Sequence, residues 1–152
     1  MNRIITALLL AVALSTAAAA AAVQRKTAPV VVEVFKSPTC GCCSKWVEYM
    51  RKNGFEMRAT NVSDLTAVKR THGVPENLLS CHTATVDGYA IEGHVPAADV
   101  RRLLKERPAV AGIAVPDMPA GSPGMEVEGV KAQPFNVISF DKAEKTQVFA
   151  RH

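Results

Sequence analysis

The sequence predicts an α/β domain with the element order β-α-β-α-β-β-α, followed by a Gly/Pro/Met loop and a β-hairpin. Three observations predict it. A run of β-branched residues, Val30 to Phe35, is followed by a helical pattern and a second extended segment, a β-α-β arrangement spanning about 30 residues. Asp87-Gly88 separates two short strand-like segments and is a strong two-residue turn signal. Pro96 opens an amphipathic stretch that stops before Pro108.

The elements follow in chain order. Met1 to Ala22 (MNRIITALLLAVALSTAAAAAA) has one charge, Arg3, then a largely apolar run from Ile4 to Leu14 and an alanine-rich stretch. This is the pattern of a secretory signal peptide over residues 1–22, cleaved near Ala22. The apolar run is too short to cross the ~30 Å hydrocarbon layer comfortably. Val30-Val31-Val32-Glu33-Val34-Phe35 reads as a buried strand ended by Ser37-Pro38-Thr39. From about Cys42 the pattern turns helical, with Trp46, Val47 and Met50 on one face and Asn53-Gly54 as the stop. Phe55 to Thr60 forms a second strand, parallel to the first by the crossover rule. Ser63 is the expected N-cap of a helix over Asp64 to Thr71, with Leu65 and Val68 inward and Gly73 ending it. Val74-Pro75 breaks the chain. Thr83 to Val86 and Tyr89 to Glu92 make the hairpin. The last helix has Val100, Leu103 and Leu104 on its buried face.

With the cysteine cluster at the end of the first strand, this is the order of a thioredoxin-like domain. The cluster then lies at a helix N-terminus, where the dipole lowers thiol pKa values. Residues 23–108 form the expected thioredoxin-like, metal-binding domain. Residues 109–152 form an extension packed on the same domain: a Gly- and Pro-rich loop from Ala111 to Gly129, then Phe135 to Phe140, a turn at Asp141 to Glu144, and Lys145 to Ala150. The formal charge is +4, and Arg3 is the one charge in the leader. The remaining basic residues are scattered, as in Arg101-Arg102 and Lys142 to Lys145, which leaves a nucleic-acid surface unsupported. Export implies a periplasmic, oxidising compartment without stable membrane association. There cysteines persist as disulfides, metal thiolates or exchange catalysts.

"KSPTCGCCSKW" carries three of the four cysteines, Cys40, Cys42 and Cys43. Cys40 and Cys43 have the spacing of a thioredoxin-like dithiol. Cys42 between them is superfluous to simple exchange but useful for bridging metal ions. Cys81, in "LLSCHTATV", directly precedes the third strand, in a loop that such a fold places beside the first helix N-terminus. Three readings stand: a metal site, which the third thiol favours; a thiol–disulfide oxidoreductase using Cys40 and Cys43; and structural disulfides, of which 40–43 with 42–81 is the simplest pairing.

His94 ends the hairpin just before a helix start and is the stronger imidazole candidate. His82 adjoins Cys81 but points away from it if the backbone is already extended there. His72 and His152 read as surface residues. Met118 and Met125 lie in a loop with few apolar neighbours, where core filling is a weaker explanation. Met50 and Met57 read as core. Thiolate, thioether and imidazole together, outside the cytoplasm, point to copper and favour Cu(I). Zinc sites seldom use methionine.

"SPTCGCCSKW", "GVPENLLSCHTATVDGYAIEGHVPAADVRRLL" and "GIAVPDMPAGSPGME" resemble the CopG family of small periplasmic copper-resistance proteins. The resemblance runs from Val30 to the C-terminus. It implies a thioredoxin-like fold, a multinuclear copper cluster bridged by cysteine thiolates, and a role in copper redox chemistry, which would make the chain a copper oxidoreductase. The bridging ligands it implies are Cys40, Cys42, Cys43 and Cys81, with further ligands drawn from His94, Met118 and Met125. The partners it implies are copper ions and other periplasmic copper-resistance proteins. The family's loop often reads Pro-Gly-Met-Pro. Here it is Pro116-Asp117-Met118-Pro119, which keeps the methionine.

Overall fold

The computed structural model describes residues 28–152, so the expected leader at 1–22 lies outside the described residues. Eleven short elements follow one another. They are β1 (Val31–Lys36), α1 (Gly41–Lys52), β2 (Glu56–Asn61), α2 (Leu65–Thr71), a 3₁₀ turn (Glu76–Leu78), β3 (Thr83–Val86), β4 (Tyr89–Glu92), α3 (Ala97–Glu106), β5 (Gly112–Ala114), β6 (Asn136–Phe140) and β7 (Thr146–Arg151). The strands form one mixed seven-stranded sheet in the order β2-β1-β3-β4-β5-β6-β7. β1 pairs with β2 in parallel and with β3 antiparallel, and β4 pairs with β5 in parallel.

Period-two alternation decides which face each strand buries. Val32 and Val34 of β1 are buried and face α1, whose Trp46, Val47 and Met50 are buried at helical spacing. Val100 and Leu103 of α3 join the same cluster, and Leu104 packs on it half-buried. Trp46 Nε1–H donates to the Val95 carbonyl at 2.9 Å, and the Ala97 amide donates to the Tyr49 hydroxyl at 3.2 Å. These two bonds fasten α1 to the segment leading into α3. On the other face, Ala90, Ala114 and Phe140 form a smaller cluster with Val74 and Leu78.

Several boundaries depart from expectation. Asp64, not Ser63, caps α2: its Oδ1 accepts the Ala67 amide at 3.0 Å, and the helix begins one residue later. Leu65 and Val68 are only half-buried, and the buried residue of that helix is Lys69. The predicted loop from Ala111 to Gly129 contains a strand, β5, at its start. Its three residues are all buried but are too few to show alternation in a Gly- and Pro-rich neighbourhood. The C-terminal strands extend the sheet outward from β4, and Ile113, Val115 and Val137 lie in the main core. Among the described residues no helix is long and apolar enough to cross a membrane.

Candidate metal centre

The connection from β1 into α1 and the connection into β3 meet at one place. Cys40 is the N-cap of α1, and its sulfur accepts the Cys43 amide at 3.3 Å. Cys40, Cys42 and Cys43 therefore ring the first turn of a helix whose free amides favour negative charge. Cys81 reaches the same spot from the segment before β3. The four sulfurs all lie within 4.8 Å of one another. Cys42 Sγ is 3.4 Å from Cys40 Sγ and 4.0 Å from Cys81 Sγ. Cys40 and Cys43 are joined as a disulfide, and Cys42 and Cys81 are free thiols.

Cys81 also belongs to a second group. Its sulfur is 3.0 Å from His94 Nε2 and 3.2 Å from His82 Nδ1, and these three donor atoms too lie within 4.8 Å of one another. Both imidazoles are fully buried. His94 Nδ1–H donates to the Pro123 carbonyl at 2.7 Å, which leaves the Nε2 lone pair facing Cys81. A carbonyl partner of this kind orients metal-binding histidines. His82 stacks on Trp46 with ring centroids 4.5 Å apart, and its Nε2 has no hydrogen-bond partner among the described residues. A buried nitrogen left unpaired is costly, and it is the other ring nitrogen, Nδ1, that faces Cys81.

Electrostatics keep this pocket neutral until something binds. Burial, reinforced by the neighbouring Cys42, pushes the Cys81 thiol up to about 12. Burial, and then the proximity of His94, holds His82 well below the ordinary histidine value. Burial also lowers His94, opposed by the Pro123 carbonyl. The neutral imidazoles can coordinate a cation through a free lone pair, whereas the Cys81 thiol must give up its proton to do so. Sulfur with imidazole is a donor set for a soft or borderline metal.

The two methionines divide. Gly124 packs directly on α1: a Cβ there would lie 2.8 Å from the Trp46 amide nitrogen and 3.0 Å from the Cys42 carbonyl. That contact holds the loop carrying Pro123 and half-buried Met125 against α1. Met118 is 49 % exposed and borders a groove with Pro119, Pro134 and Phe135, whose lining contains no cysteine. Asp117 holds its turn with φ 60°, a left-handed conformation that asparagine and aspartate adopt more readily than other side-chain-bearing residues. His72 stacks on Phe35, and exposed His152 pairs with Asp99 at 2.8 Å. Neither is near the cysteines.

The condition under which His82 would point away from Cys81 is not met: β3 begins at Thr83, and the His82 ring lies against the Cys81 sulfur. Its adjacency to a cysteine immediately before a strand was the available signal.

A family model described as "Protein of unknown function, DUF411" matches residues 78–125, the stretch that carries Cys81, both buried histidines and both loop methionines. No curated protein matches the chain. Two solved structures do, under the names "Copper resistance protein copG- Form 2" and "Copper resistance protein copG- Form 1". Each is 40% identical over 82% of this chain, with TM-scores of 0.78 and 0.77, covering 99% and 98% of those chains.

Proposed function

The chain belongs to the family of the CopG copper resistance protein, and on that premise we propose that it is an exported, periplasmic copper-binding protein that holds a multinuclear copper cluster between Cys40, Cys42, Cys43 and Cys81. The observation that carries this reading is the convergence of the four sulfurs within 4.8 Å, with Cys81 shared by a second group containing two buried imidazoles. One tetrahedral ion takes four donors. Six donors meeting on a common sulfur favour more than one ion, with Cys81 bridging. His94 and His82 would supply nitrogen donors, and Met125 and Met118 are the thioether candidates.

Bound copper would supply one-electron chemistry between Cu(I) and Cu(II). The chain does the rest. Cys81 would give up its proton on loading, the Pro123 carbonyl fixes the His94 tautomer, and Gly124 docks its loop on the backbone of α1. Thiolate and thioether favour Cu(I). Interconversion of the two oxidation states would serve other periplasmic copper-resistance proteins. The reading also takes residues 23–108 as thioredoxin-like. It is supported by the strand order β2-β1-β3-β4, the parallel β1–β2 pair and the antiparallel β3–β4 hairpin.

The disulfide between Cys40 and Cys43 favours a second reading, a thiol–disulfide oxidoreductase. It also makes reduction a precondition for copper loading, since a disulfide offers no thiolate. The deciding test is an anaerobic Cu(I) titration of the reduced mature protein, with copper per chain read by elemental analysis. More than one tightly held copper per chain is expected, with fewer in Cys42→Ser and Cys81→Ser variants that remain folded. One weak copper or none overturns the cluster. Disulfide exchange by the copper-free protein, dependent on Cys40 and Cys43 alone, would then establish the second reading.

A further inference from the structure

The metal site leaves one fully buried charged group unused. Glu92, the last residue of β4, is 0% exposed, and its carboxylate lies on the sheet face opposite Trp46. Lys69 of α2, itself buried, places Nζ 2.5 Å from Oε1. The Ser80 amide donates to the same oxygen at 2.7 Å, and the Thr83 hydroxyl donates to Oε2 at 2.7 Å. Lys69 Nζ also donates to Thr83 Oγ1 at 3.1 Å. Both carboxylate oxygens are therefore engaged, and two of their three partners flank Cys81 and His82 in the chain.

The rest of the arrangement ties the same two segments together. The Gly93 amide donates to the His82 carbonyl at 3.0 Å, and the Val115 amide to the Glu92 carbonyl at 2.9 Å. Gly93 has φ 71°, and a Cβ there would fall 2.4 Å from Ser80 Oγ and 2.6 Å from the Val115 carbonyl. Only glycine lets the Ser80 to His82 segment lie this close to the Glu92 to His94 segment. Cys81 thereby meets the imidazoles of both His82 and His94.

We propose that Glu92, clasped by Lys69 and Thr83, is a positioning residue for the metal site: its carboxylate fixes the turn at residues 80–83 that aims Cys81 and His82 toward His94. This rests on the metal-binding reading above. A buried ion pair is a poor source of stability compared with apolar side chains of the same size. An apolar group could fill the space but could not accept the Ser80 amide. What the carboxylate adds is direction, as partners of metal ligands do.

Two double variants separate direction from packing in the reduced mature protein. Lys69→Met with Glu92→Gln keeps an acceptor for Ser80 or Thr83. Lys69→Met with Glu92→Leu fills the space without one. Both are expected to fold, with thermal midpoints near that of the unmodified protein. The leucine variant should bind Cu(I) about tenfold to a hundredfold more weakly by competition with a chromophoric chelator, and the glutamine variant much less so. In the metal-free leucine variant, histidine side-chain ¹⁵N shifts should lose the His94 pattern of a protonated Nδ1 and an accepting Nε2. A folded leucine variant with unchanged Cu(I) affinity and unchanged imidazole shifts overturns the proposal. If that variant does not fold, Thr83→Val decides in its place, and unchanged affinity and shifts there overturn the proposal equally. Failure of the unmodified protein to bind Cu(I) would instead sink the metal-site reading, and the metal-free imidazole shifts would still test the clasp.

Discussion

Cys81 is the residue on which the two donor groups meet, and its acidity sets how the site responds to pH. Its thiol is pushed up to about 12 by burial and then by Cys42, so with Cys40 and Cys43 paired and no metal bound it is protonated at neutral pH. Loading must displace that proton. Each proton displaced makes apparent affinity rise about tenfold per pH unit below the thiol pKa. The imidazoles compete with protons less than ordinary histidines would, because both are shifted below the ordinary histidine value. Cu(I) affinity measured by chelator competition between pH 6 and 8 should rise with pH, and the slope should be one unit shallower in Cys81→Ser. An identical slope in the two proteins would show that Cys81 does not release a proton on binding. The sequence placed this residue beside the helix N-terminus but gave no hint of its burial, which comes from chain segments far away in sequence.

At the scale of elements, the helix N-terminus and the loop after β5 must dock for the site to close. Gly124 is the contact point. It has φ 87°, and its Cβ position is blocked by the backbone of α1 rather than by a flexible side chain. Gly124→Ala must strain its own backbone or lift the loop. The expected cost is about 1–3 kcal/mol from the disfavoured conformation. The variant should also free the Pro123 carbonyl from His94 Nδ1. A lower thermal midpoint together with weaker copper binding is the expected result, and an unchanged midpoint would contradict this docking. The elements themselves divide by how local their signals are. α1 and the β3–β4 hairpin follow their sequence signals closely, because apolar spacing and the Asp87-Gly88 turn act within a few residues. The inward side of α2 did not follow. Lys69 is buried because Glu92, on a strand distant in sequence, awaits its charge.

For the whole molecule, the sheet runs unbroken from β2 to β7, and the segment after residue 108 completes it. β5 covers the outer edge of β4, and Ile113, Val115 and Val137 are fully buried in the main core. Burying one such side chain contributes about 1.5–3 kcal/mol, and net stabilities of domains are themselves only about 5–15 kcal/mol. A chain ending at residue 108 should therefore show no cooperative thermal transition, whereas residues 23–152 should. A cooperative, metal-binding fragment 23–108 would mean that the C-terminal strands merely decorate a self-sufficient domain.

The sequence by itself determined the α/β class, the succession of strands and helices through α3, the closing hairpin and the candidacy of the four cysteines. Each of these rests on spacing and turn chemistry that act over a few residues. The tertiary structure alone decided that His82 lies against Cys81, that Pro123 orients His94, that Met125 is half-buried while Met118 faces solvent, and that Lys69 and Glu92 are buried. Those outcomes depend on which distant segments pack together. Burial and the direction of a side chain are properties of the packed sheet, and no window of sequence contains them.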